Sequence, residues 1–113
     1  MSPRRADFDG PSLGGLNGLD KLLEHRTRLG ICILLYRSEG LTFSRLKALL
    51  EETDGSLGAH LQKLEERGYL SVRKEFRDRK PMSWYALTRN GRAALQTHLK
   101  ALEKLIAEAT ATS

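Results

Sequence analysis

The chain has one cysteine, no long apolar run and none of the short motifs that carry catalysis, and each shortage removes a class of protein. Cys32 cannot close an internal disulfide by itself, and no second cysteine or histidine cluster stands at zinc-ligand spacing, so no metal is expected. Nothing approaches the roughly 18 consecutive apolar residues of a membrane span, and the N-terminus lacks the apolar core of a signal peptide, which points to a soluble cytoplasmic protein. There is no Gly-rich phosphate loop, no Gly-x-Ser-x-Gly elbow and no His-Glu-x-x-His helix. With no nucleophile paired to a base, neither an enzyme nor a bound cofactor is expected.

What is present is a small basic domain. At 113 residues, 12.7 kDa and a formal charge of +5, the chain can bury a core but gains from pairing with a second copy. The charge is uneven. Arg73, Lys74, Arg77, Arg79 and Lys80 face only Glu75 and Asp78 within residues 69–80, whereas residues 17–54 are balanced. A localised basic stretch of this kind suits phosphate.

Residues 1–15, rich in Pro, Gly, Ser, Arg and Asp without apolar periodicity, read as a flexible arm, and order begins near Leu16. Leu16, Leu19, Leu22 and Leu23 fall at helical spacing and predict a first helix over residues 17–24, with a break around His25, Arg26 and Thr27. Residues 28–37 predict a largely buried second helix, which places Cys32 in an apolar run as a packed, inert thiol. After a stop at Ser38, Glu39 and Gly40, Thr42 caps a third helix whose apolar stripe is Phe43, Leu46, Leu49 and Leu50.

The next helix, over residues 54–67, carries the chemistry. Leu57, Leu61 and Leu64 recur at four and three residues and point to a core, Thr53 or Asp54 caps the start, and Gly68 ends it. Ser56, Ala59, Gln62 and Lys63 project from the other side, and Gly55 and Gly58 add no bulk, so the backbone can approach a groove floor closely. Ser56 and Gln62 can exchange hydrogen bonds with base edges, Lys63 can reach guanine or phosphate, and the Ala59 methyl can lie against a thymine methyl. His60 sits on the flank of the apolar stripe, suited to packing or to a phosphate hydrogen bond, while His25 and His98 belong to other helices. Strands over residues 69–76 and 82–87 then flank a hydrophilic turn at residues 77–81, giving a hairpin with a basic tip.

A groove-sized helix followed by a basic hairpin defines a mainly α architecture with a small β-hairpin: a winged helix-turn-helix with added N- and C-terminal helices. The chain resembles prokaryotic winged-helix transcriptional regulators of the broad MarR and ArsR type. The resemblance rests on His25-Arg26-Thr27-Arg28-Leu29, on Phe43-Ser44-Arg45-Leu46-Lys47, on the run from Asp54 to Tyr69, and on Tyr85-Ala86-Leu87-Thr88-Arg89-Asn90-Gly91-Arg92, and it spans about residues 16–107. It implies a homodimer that binds double-stranded DNA. The cysteine pairs and acidic–histidine clusters of metal-sensing members are missing, and the sequence marks no effector pocket.

The C-terminal segment supports a dimer on its own physics. Thr88 can cap a helix over residues 88–109, on which Leu95, Leu99, Leu102 and Ile106 form a stripe for a second subunit, joined by Leu16 and Leu19. Packing of that stripe on its own domain is the alternative. A winged helix that docks protein instead of DNA is the functional rival, and the basic wing disfavours it because a docking face would present aromatic or aliphatic anchors.

Overall fold

The computed structural model describes residues 13–111. The flexible arm expected over residues 1–15 therefore falls mostly outside the described residues. Its last part does not behave as an arm: Gly14–Gly18 forms a 3-10 turn, with Gly15 buried and its amide donating to Glu108 Oε1 at 3.2 Å.

The helix expected over residues 17–24 is instead two 3-10 turns, Gly14–Gly18 and Lys21–Glu24, separated by extended backbone at Leu19 and Asp20. Glycine weakens a continuous helix by about 1 kcal/mol each relative to alanine, and this stretch holds Gly14, Gly15 and Gly18. Asp20 then restarts the chain by accepting from the Leu22 amide at 2.9 Å. The same glycines let the segment lie tightly against the last helix: a Cβ on Gly15 would fall 2.7 Å from Leu105 Cγ, and one on Gly18 3.0 Å from Ala101 Cβ.

Helix α1, Arg26–Tyr36, begins where the sequence pattern suggests a break, because the His25 ring itself is the cap and accepts from the Thr27 amide at 3.1 Å. Strand β1, Leu41–Thr42, leads into α2, Phe43–Leu50, which Thr42 caps through the Arg45 amide and which ends at Glu51 in the left-handed region. Helix α3, Asp54–Glu66, starts at Thr53, whose hydroxyl accepts from the Ser56 amide at 3.1 Å. It stops at Gly68, where φ is 82°.

Strands β2, Leu70–Arg77, and β3, Lys80–Leu87, form an antiparallel hairpin, and β1 joins on the far side of β3, an element the sequence did not reveal. The ladder runs to Arg77 opposite Lys80, so the hairpin is longer and its turn shorter than expected. Only Asp78 and Arg79 turn the chain, both at positive φ, the geometry that matches the twist of paired strands. Pro81 is tolerated within β3 because β1 reaches only as far as Trp84, leaving that edge of β3 unpaired. Helix α4, Arg89–Thr110, is capped by Thr88, which accepts from the Gly91 amide at 3.0 Å and donates to the Gly68 carbonyl at 2.6 Å.

The core lies where α1, α3 and α4 meet the base of the hairpin. Ile31, Cys32 and Leu35 of α1, Leu46 of α2, Leu57, Leu61 and Leu64 of α3, Leu70 of β2 and Leu95 of α4 are all buried together with Leu23. Each full burial of a leucine is worth about 1.5–3 kcal/mol, so this cluster fixes the angle of α3 against the hairpin. Leu95, assigned from the sequence to a subunit interface, is fully enclosed in its own protomer and is unavailable to a partner.

Candidate nucleic-acid interface

Helix α3 turns three leucines inward and leaves the other side open. Ala59, Gln62 and Lys63 are exposed and Ser56 is half-buried, as the period of the leucines demands. A Cβ built on Gly55 or on Gly58 meets no atom within 4 Å, so these two positions face open space. Gln62 Nε2 donates to Glu66 Oε2 at 3.1 Å, an exposed bond that a base edge can replace. Lys47 of α2 and Asp54 at the head of α3 pair at 2.9 Å, but both are exposed and the pair adds little stability.

His60 stands apart from that open side. Its ring packs on His25 with centroids 4.2 Å apart, and its Nδ1 accepts from Arg28 Nη1 at 3.0 Å, tying α3 to α1. Burial, with help from the neighbouring His25 and Arg28, lowers its pKa below the ordinary histidine value. Nearby, Thr27 donates to Glu52 at 2.7 Å, and hydrogen bonds from Thr27 and Ser56 hold that carboxyl below its usual range. His60 is thus engaged by α1 and its cap, whereas on the open side Ser56 meets Glu52 and Gln62 meets Glu66 of its own helix.

The hairpin extends past the core with two distinct faces. Strand alternation and register put Leu70, Val72, Lys74 and Phe76 on the face that begins in the core, beside Leu87, Tyr85, Ser83 and Pro81. The opposite face carries Arg73 beside Trp84, Glu75 beside Met82 and Arg77 beside Lys80. Arg73 is partly engaged: its guanidinium lies 5.7 Å from the Trp84 ring centre and pairs with Glu75 at 3.4 Å, while the Trp84 indole N–H donates to Glu75 at 3.1 Å. Lys74, Arg77, Arg79 and Lys80 are exposed. No ion pair engages any of these four among the described residues. Phe76, to which the sequence pattern assigns no role, is 78% exposed among them.

The expected subunit-contact residues separate in the structure. Besides the buried Leu95, Leu99 packs against the protomer's own core and Leu19 is half-buried beside α4. Leu102 is half-buried, whereas Leu16 and Ile106 are 52% and 65% exposed toward the same end of α4, where Gly15 bonds Glu108.

Elsewhere, Asp20 joins the N-terminal segment to the domain: its amide donates to the buried His98 at 3.0 Å and its carboxylate accepts from the Tyr69 hydroxyl. That hydroxyl is pushed up to about 12 by burial and by the Asp20 bond. An open groove of about 590 Å³ runs beside it, with Lys21, Arg67, Tyr69 and Thr97 in its wall. Cys32 is completely buried, and burial raises its thiol to about 12, so it is a packed core residue with no thiolate at neutral pH. Among the described residues no three His, Cys, Asp or Glu side chains converge as metal ligands, and no helix is long and apolar enough to cross a membrane.

Helices α1, α2 and α3 and a three-stranded sheet ending in a basic hairpin define a winged helix-turn-helix, here extended by α4. The chain belongs to the winged helix DNA-binding domain family, whose sequence profile matches residues 27–106. It is 34% identical over 79 residues to MJ0432, an uncharacterised protein of Methanocaldococcus jannaschii, covering 70% of this chain and 86% of that one. A transcriptional regulator homologue from Pyrococcus horikoshii OT3 superposes with a TM-score of 0.76 at 28% identity, over 81% of this chain and 91% of that chain. MarR superposes with a TM-score of 0.69 at 20% identity, over 84% and 68% of the two chains, and shares the fold. The chain thus carries a winged helix DNA-binding domain whose fold is shared with transcriptional regulators such as MarR.

Proposed function

We propose that the protein acts in the cytoplasm as a homodimer that recognises a specific, palindromic DNA operator. The observation that carries this reading is the pairing of two exposed elements on one rigid core: the glycine-flanked side of α3 and the basic hairpin β2–β3. In this reading α3 enters the major groove, with Ser56, Ala59, Gln62 and Lys63 at base edges. The wing meets phosphate or the minor groove through Lys74, Arg77, Arg79 and Lys80, with Arg73 held nearer the strand by Glu75 and Trp84. His60 ties α1 to α3 through its ring and Nδ1, and its remaining Nε2–H is the group that would reach a phosphate.

Exposed Leu16 and Ile106 with the flank of Leu102 are the apolar surface that a second copy would cover, and they support a subunit contact toward the distal end of α4. A twofold dimer sets two α3 helices into successive major grooves about 10 bp apart, hence the palindrome. Selection from a random duplex library, followed by mobility-shift titration of the enriched duplex against scrambled DNA, tests the proposal. An inverted repeat bound at least about a thousandfold more tightly than scrambled DNA is expected; no enrichment would refute sequence-specific binding.

A further inference from the structure

Phe76 is the most exposed large apolar side chain in the described part of the molecule, at 78%, and it stands next to the tip of a hairpin otherwise built from charge. Its cross-strand partner is Pro81, so the two apolar side chains lie together on one face of the wing. Around them are Lys74 on the same face, Arg77 and Lys80 at the next rung, and Arg79 in the turn. A phenylalanine left in water here gains nothing for the fold, since it lies beyond the core formed by Leu70 and its neighbours.

We propose that Phe76, backed by Pro81, is an apolar wedge that enters the minor groove and partly unstacks one base step, bending the operator. The inference rests on the DNA-binding reading above. The cations around it name the occupant: a hairpin tip that carries one aromatic ring with Lys74 on one face, Arg77 and Lys80 on the other and Arg79 in the turn, none in an ion pair among the described residues, fits a polyanion with stacked, apolar faces between its phosphates. A protein partner would have to satisfy those same four charges. Register supplies the geometry, because the face that carries Phe76 at the tip is the face that enters the core at Leu70, in the cluster shared with the leucines of α3. The wedge therefore emerges on the same side of the sheet as the recognition helix. Flexible pyrimidine–purine steps unstack most readily, so the operator should carry one where the wing lands.

The test compares the wild type with Phe76→Leu and Phe76→Ser on the selected duplex, reading affinity by mobility shift, bend by circular-permutation mobility, and salt slope. Phe76→Ser should bind about tenfold more weakly and lose about 20° or more of bend, while Phe76→Leu, still a wedge, keeps most of both. The salt slope should not move, because no cation is removed. Replacing the flexible step by a stiff A-tract should weaken the wild type and leave Phe76→Ser unaffected. If both variants bind and bend the duplex like the wild type, the wedge is overturned while the DNA reading stands. If the wild type selects no duplex at all, both fall, and the exposed ring is left for a protein contact.

Discussion

Arg28 Nη1 lies 3.0 Å from His60 Nδ1, and because a guanidinium only donates, that ring nitrogen must accept and the imidazole must be neutral. Protonating His60 would break the tie between α1 and α3 and set a cation beside Arg28. Its pKa is lower in the fold than the ordinary 6.5, so the unfolded chain takes up the proton first. Stability should be level above about pH 6.5 and fall as the pH drops below it. Glu52, whose pKa is also lowered, contributes stability that is present above the usual carboxylate value and lost as the pH falls further, so its loss begins at lower pH than that of His60. Urea midpoints across this range check it: His60→Gln, which can still accept from Arg28, should remove the first decline and spare the second. An unchanged first decline would assign it to another group.

Two glycines should respond to alanine in opposite ways. A Cβ on Gly91 would fall 2.1 Å from the Tyr69 carbonyl oxygen, within the junction where Thr88 binds Gly68, and backbone cannot yield cheaply there. Gly91→Ala should cost about 3 kcal/mol. Gly58 has open space around it in the middle of α3, so Gly58→Ala should gain about 0.5–1 kcal/mol of stability from helix propensity. The same methyl should weaken operator binding by holding α3 off the groove. Chemical denaturation and mobility shift on the same preparation decide it, and a Gly58 variant that is more stable and binds equally well would show that the open surface is not pressed against DNA.

The legible parts of the sequence were those governed by local periodicity. Leu57, Leu61 and Leu64 announced α3, Thr42 and Thr88 announced their caps, and Gly68 its end. The failures came where distant chain decides local form. Leu16 to Leu23 carry a helical spacing, yet close approach to Ala101 and Leu105 selects glycine and breaks the helix into two turns. A two-residue β1 has no pattern to read, and it exists only because Leu41 and Thr42 meet Tyr85 and Trp84. His25 looked like a break because histidine is an uncommon cap. On α4 a stripe spaced for one partner serves several: Leu95 and Leu99 go to the core, Leu102 is half-buried and Ile106 stays open, while Ala101 outside the stripe meets the N-terminal segment.

The subunit contact should therefore respond to position along α4. Leu102→Asp with Ile106→Asp alters side chains outside the core and should give a folded monomer with at least about tenfold weaker operator binding. Leu95→Ala should instead cost about 2–5 kcal/mol of protomer stability, because it opens a cavity between α4 and the rest of the core. Sedimentation equilibrium and circular dichroism separate the two. A wild type that sediments as a monomer at micromolar concentration, or a double variant that stays dimeric, would move the interface elsewhere.

Wing and helix should fail in different ways when salt is varied. Arg77, Arg79 and Lys80 are exposed cations at the hairpin tip, whereas Gln62 is an exposed neutral side chain on α3. Raising salt from about 50 to about 200 mM should cost the wild type roughly a thousandfold in affinity if a dimer neutralises six or more phosphates. The wing variant must respect backbone conformation: Arg79 sits at φ 67°, so Arg79→Asn with Arg77→Gln removes charge while keeping a residue that accepts the left-handed turn. That variant should flatten the salt slope by about one unit for each phosphate it no longer neutralises, and weaken operator and scrambled DNA nearly alike. Gln62→Ala should leave the slope in place and lose about 1–3 kcal/mol on the operator, with relaxed preference at one base pair. Mobility-shift titrations of each variant on both duplexes across the salt range provide the measurement. A wing variant with the wild-type slope would detach the hairpin from phosphate, and a Gln62 variant equally weakened on both duplexes would remove that residue from base readout.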